Sequence, residues 1–80
     1  MVTPESIQQN IEQGMSHTYV SVTGDGTHFE AVVVSEEIAG KSRVQRHQHV
    51  YQTLGDRMRA EIHALSMKTY TPDEWREQNK

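Results

Sequence analysis

Apolar residues along this chain recur in two rhythms, steps of three and four in some stretches and alternation in others. Ile7, Ile11 and Met15 lie four apart behind Thr3-Pro4-Glu5. A threonine cap, a proline at the first position and a glutamate at the positive end predict a helix that stops near Gly14. From His17 to Thr23 β-formers dominate and Thr18, Val20 and Val22 share a face; Gly24-Asp25-Gly26 is a turn signal, and His28 to Ser35 forms the second run. Its Val32-Val33-Val34 core predicts a central strand covered on at least one side. After a connector from Glu36 to Lys41, Ser42 caps a long helix with an apolar stripe at Val44, His47, Tyr51, Leu54 and Met58, joined by Val50. Gly55 is expected to weaken that helix without ending it. Ile62 to Tyr70 reads as the third strand, and Thr71-Pro72-Asp73-Glu74 as the capping box of a last helix carrying Trp75.

The predicted order is α-β-β-α-β-α. Strands two and three are separated by enough chain, helix included, for a right-handed crossover that sets them parallel. The expected fold is therefore α+β, an α/β sandwich with a three-stranded mixed sheet and helices on one face. Eighty residues are expected to form a single domain, residues 1–80, with a core close to the smallest that folds alone.

Charge changes this picture. The formal net charge is −3, yet Lys41, Arg43, Arg46, Arg57 and Arg59 face only Asp56 between positions 41 and 59, so that segment carries +4 and the remainder −7. A basic face on an acidic chain suits an acidic protein partner, and less well a nucleic acid, whose binding needs clustered cations. There is no cysteine, which excludes disulfides, thiol catalysis and a self-contained zinc–thiolate site. No window approaches 18 apolar residues and no basic-then-apolar leader opens the chain, so no membrane association and a cytoplasmic location are expected.

Five histidines are the main ligand chemistry. His47 and His49 are two apart, about 200° around a helix, so they do not chelate one ion. His47 falls on the apolar stripe and reads as a core-edge residue hydrogen-bonded to the scaffold. His49 reads as solvated, and His17 has no evident partner. His63 enters the third strand on the face of Leu65 and Met67, where the residues alone leave packing and ligation both open. No nucleophile–base pair or phosphate loop points to an enzyme.

Several separated blocks together resemble the BolA family, in particular its IbaG-like branch: Gly24-Asp25-Gly26-Thr27-His28-Phe29, Arg46-His47-Gln48 followed by Val50-Tyr51, Ile62-His63-Ala64-Leu65, and Thr71-Pro72 before Glu74-Trp75. The resemblance implies a small class II KH-like domain that partners monothiol glutaredoxins in iron–sulfur cluster and iron homeostasis and in stress response. It matches His63 to the family histidine implicated in a shared [2Fe–2S] cluster. The family's second ligand, a Cys or His, comes from the loop between the first two strands, and here the chain departs from the pattern. Counting back from Phe29 puts Asp25 at that place, a hard oxygen donor ill-suited to such a cluster, and His28 is the nearest imidazole. With no thiol, any cluster must be completed by a partner's cysteine and glutathione. BolA proteins are also described as transcription regulators, so a nucleic-acid-binding regulator using Lys41, Arg43, Arg46, Arg57 and Arg59 is the alternative. The Gly-x-x-Gly clamp of KH domains is missing from residues 36–43, where only Gly40 occurs, so DNA binding is expected to be weak. A homodimer is the other assembly left open.

Overall fold

The computed structural model describes residues 2–79. Its elements run α1 (Pro4–Gly14), β1 (Tyr19–Gly24), β2 (His28–Val34), a 3-10 turn (Glu36–Ile38), α2 (Arg43–Gln52), α3 (Gly55–Glu61), β3 (Ala64–Tyr70) and α4 (Pro72–Gln78). The expected α+β order is present, with one added break. The sheet order is β1-β2-β3, antiparallel between β1 and β2 and parallel between β2 and β3.

Each predicted cap forms. The hydroxyls of Thr3, Ser42 and Thr71 accept from the amides of Ser6, Gln45 and Glu74, and the side chains of those three residues reach back to the capping amides. Alternation along the strands turns Val20, Val22, Phe29, Ala31, Val33 and Met67 to one face, where they pack with Ile7, Ile11, Met15, Ile38, Val50 and Leu54. This is the main core. The opposite face is largely open, except at one end. There Tyr19, Val34 and Tyr70 stand in register across the three strands. Trp75 of α4 stacks on Tyr19 at 5.5 Å between centroids and tilts against Tyr70 at 5.3 Å. Such ring pairs add about 0.5–1.5 kcal/mol beyond the area they bury.

The long helix is two helices, contrary to the expectation for Gly55. The Thr53 hydroxyl donates to the Val50 carbonyl at 2.6 Å, and the amides of Thr53 and Leu54 close three-residue turns onto Val50 and Tyr51. Gly55 then takes φ +78, a left-handed conformation that ends α2 and redirects the chain. The end of α1 fits against this corner: a Cβ at Gly14 would lie 2.6 Å from Thr53 Cβ. After the redirection Met58 and Ile62 pack against the core. The apolar stripe also begins later than its spacing suggested, since Val44 is 66 % exposed on the first turn of α2. No helix among the described residues is long and apolar enough to cross a membrane.

Candidate cluster-ligand and partner-binding sites

Parallel register brings the two leading histidines to one rim of the sheet. His28 is the first residue of β2 and pairs with Ala64, so His63, in the bend just before β3, stands beside it in the sequence of the neighbouring strand. Both are exposed. The buried ring of the next residue, Phe29, anchors this end of β2. A surface cavity of about 460 Å³ opens here, lined by residues that include Asp25, His28, Glu30 and Ala64; His63 does not line it. Among the described residues no group of three or more His, Asp or Glu is arranged to hold a metal ion.

Asp25 already has a local task. One carboxylate oxygen accepts from the amides of His28 and Thr27, each at 2.9 Å, which closes the hairpin around Gly26 with φ +97. Those two hydrogen bonds hold its carboxyl below the usual aspartate range. By donor chemistry alone, exposed imidazoles without a thiolate could supply part of a shared iron–sulfur site and do not supply a complete one.

The other histidines are placed differently from one another. His47 is half-buried in α2, and burial first, the Arg43 charge second, push its pKa down. The expected hydrogen bond to its ring is not formed among the described residues. His49, expected to be solvated, is half-buried with Nε2 3.5 Å from the Glu37 carboxylate. His17 is exposed, with Nδ1 3.3 Å from the Met15 carbonyl.

The basic segment divides. Lys41, Arg43, Arg46 and His47 line a groove of about 510 Å³ against Met67, Lys68, Thr69 and Tyr70 of β3. Arg57 and Arg59 lie on α3 and do not line it; Arg59 is paired with Asp56. Lys68 joins the groove although it lies outside the basic segment of residues 41–59. Its signal was the alternation of β3, which turns Met67 inward and Lys68 outward.

Arg46 is largely committed within the fold. Its two terminal nitrogens donate to both Glu74 oxygens, at 2.7 and 3.1 Å, tying α2 to α4. The Arg46 hydrogen bonds first, then the Thr71 amide, pull the Glu74 carboxyl down to about 2. Glu74 in the unfolded chain titrates near 4.5, so the pair's contribution is complete above that pH and is lost as pH falls through about 2. Glu74→Gln should lower stability at pH 7 by only about 1 kcal/mol, since the carboxylate is nearly half exposed and partly screened. Urea titrations of both proteins at pH 7 and near pH 2 should show the gap closing in acid; a gap that widens would contradict the assignment.

The chain resembles known proteins along most of its length. The BolA-like protein family model matches residues 2–74. The chain belongs to the BolA family. It is 41% identical to the acid stress protein IbaG of Escherichia coli over 92% of its own length and 89% of that protein. It is 38% identical to the DNA-binding transcriptional regulator BolA of Haemophilus influenzae, over 94% of its length and 86% of that relative. A solved BolA homologue from Coxiella burnetii superposes with a TM-score of 0.83 at 52% identity, covering 95% of this chain and 99% of that one. The IbaG-like branch suggested by the sequence blocks is supported by these relatives.

The structure also relocates the KH comparison. In this fold the two consecutive middle helices meet at Thr53-Leu54-Gly55, not in residues 36–43. One glycine stands there, Gly55, so a Gly-x-x-Gly clamp is lacking at the helix–helix turn too.

Proposed function

We propose that this BolA-family chain is a non-enzymatic adaptor that binds a monothiol glutaredoxin and shares a [2Fe–2S] cluster with it, in iron–sulfur and iron homeostasis. The observation that carries the reading is the pair of exposed imidazoles, His63 and His28, set at one sheet rim by parallel register in a chain without cysteine. His63 is the first donor and His28 the second, with Asp25 positioning His28 through the turn it closes. Cysteine from the glutaredoxin and glutathione supply the remaining ligands. A cluster held this way has imidazole in place of thiolate at one iron, which raises its potential and makes its retention sensitive to acid. What this chain contributes is placement: two imidazole donors at one rim of the sheet, open to a partner. The test is co-expression with a monothiol glutaredoxin. The isolated chain should purify colourless, and the complex should show visible absorption and circular dichroism bands that differ from those of glutaredoxin alone. A complex with bands identical to glutaredoxin alone, or no complex, would remove the reading.

A second reading has one observation in its favour. The Haemophilus influenzae relative is named a DNA-binding transcriptional regulator, and the groove beside β3 is basic. With Arg46 tied to Glu74 and no glycine clamp, DNA binding by this chain should be weak and steeply salt-dependent. Sequence-specific binding that persists at physiological salt would favour the regulator over the adaptor.

A further inference from the structure

β3 is an edge strand, hydrogen-bonded to β2 on one side only. The Ser35 amide donates to the Tyr70 carbonyl at 3.0 Å, so the polar backbone groups of Tyr70 face β2. Alternation then turns the N–H and C=O groups of Leu65, Met67 and Thr69 the other way. Arg46 meets the Thr69 carbonyl from that outer side at 3.4 Å, which fixes the same parity independently. Among the described residues no backbone group pairs with the outward amides of Leu65, Met67 and Thr69.

Unpaired edges ordinarily invite another strand, and proteins blunt them with lysine or a covering element. Here α2 stands off the edge rather than covering it, and leaves the groove of about 510 Å³ along Met67 to Tyr70. Its cations are unequal. Arg46 is neutralised by Glu74, whereas Lys41, Arg43 and Lys68 form no ion pair among the described residues. Arg43 also lines a second cavity with Glu30, Val32, Ser66 and Lys68, so its side chain lies across the β3 edge. Exposed Val44 adds an apolar side chain next to Arg43 on the same helix turn. A second copy of this chain is a poor occupant, because pairing two β3 edges sets Lys68 and Arg43 against their own counterparts.

We propose that this edge accepts an extended acidic peptide segment of a partner protein as a fourth strand, its backbone pairing with Leu65 and Met67 up to the Thr69 carbonyl that Arg46 already caps, and its alternate carboxylates meeting Lys41, Arg43 and Lys68. Backbone pairing supplies the attraction and the cations supply the selectivity. The edge starts at Leu65, two residues beyond His63, and reaches Thr69 roughly 20 Å from His63 at about 3.3 Å per residue. The inference does not depend on the shared cluster, and its test uses the full chain with no cluster and no glutaredoxin.

The probe is a synthetic end-blocked peptide alternating glutamate with valine. It is compared with its lysine–valine counterpart, with a version N-methylated at every residue, and with oligothymidine. Amide hydrogen exchange of the ¹⁵N-labelled chain should slow at Leu65 and Met67 by about tenfold or more with the acidic peptide alone. Lys68→Glu and Arg43→Glu, both at exposed side chains, should each weaken binding by about tenfold while the spectrum stays that of a folded chain. The proposal is overturned if those amides exchange unchanged, if the N-methylated peptide binds as well, or if both charge reversals leave affinity intact. Protection of the same amides by oligothymidine and not by the peptide would overturn it in favour of a nucleic acid.

Discussion

Replacing His63 with alanine is expected to speed loss of the shared [2Fe–2S] cluster from the glutaredoxin complex by about tenfold or more, and to shift its visible circular dichroism. The magnitude follows from outer-shell residues, which already cost about 10–100-fold in metal affinity when removed, so a direct ligand should cost no less. His63 is exposed and outside the apolar core, and the variant should fold normally. His28→Ala should act in the same direction with a smaller effect, because His63 is the first donor of the proposed site and His28 the second. Asp25→Asn separates ligation from scaffolding. Its amide oxygen can still accept from the His28 and Thr27 amides, so the turn survives while the charged donor is gone. Cluster lifetime should be unchanged in that variant. Equal lifetimes for wild type and His63→Ala would eliminate the central ligand assignment.

The elements of this fold were legible because local signals agreed with one another. Three N-cap residues, one of them in an expected capping box, a glycine turn and a valine run each pointed to the structure that forms. Gly55 ends α2 although the stripe from Val50 to Met58 is continuous in spacing, because spacing does not report a left-handed residue within it. Propensity alone costs a helical glycine about 1 kcal/mol, too little to announce a break. The close approach of Gly14 to Thr53 at this corner is a contact between distant parts of the chain, which spacing within the stripe does not contain. The candidate sites show the same division. That His63 stands next to the partner of His28 follows from the parallel register, which no single stretch of sequence contains. The +4 segment looked like one face, but the break at Gly55 puts Arg57 and Arg59 on a separate helix, and Glu74, 28 residues beyond Arg46, occupies the latter's guanidinium. Lys68 enters the groove from a strand the charge count did not include.

Phe29→Ala should be the most damaging single truncation for stability, at about 3–5 kcal/mol. Phe29 is the largest of the fully buried side chains, at 1 % exposure. Its ring fills the space over its cross-strand partner Gly24, where an added Cβ would come within 2.5 Å of Phe29 Cδ1. Gly24 therefore has no side chain to close the void, and on the other flank Leu65 is held by the β3 register. A domain of this length is expected to have only about 4–12 kcal/mol in total, at roughly 0.05–0.15 kcal/mol per residue. The loss would leave a substantial unfolded fraction at 37 °C for a protein at the lower end of that range. Urea unfolding followed by circular dichroism measures it directly, with Phe29→Leu as the milder comparison that retains much of the volume. The same ring anchors the strand end that carries His28, so Phe29→Leu should keep most of the stability yet loosen that rim. Amide exchange at His28 and Asp25 should then rise more than at Val33, in the middle of the sheet. A loss below about 1 kcal/mol for Phe29→Ala would mean that the core tolerates the void, and that the rim holding the two histidines is fixed by the Asp25 turn rather than by packing beneath it.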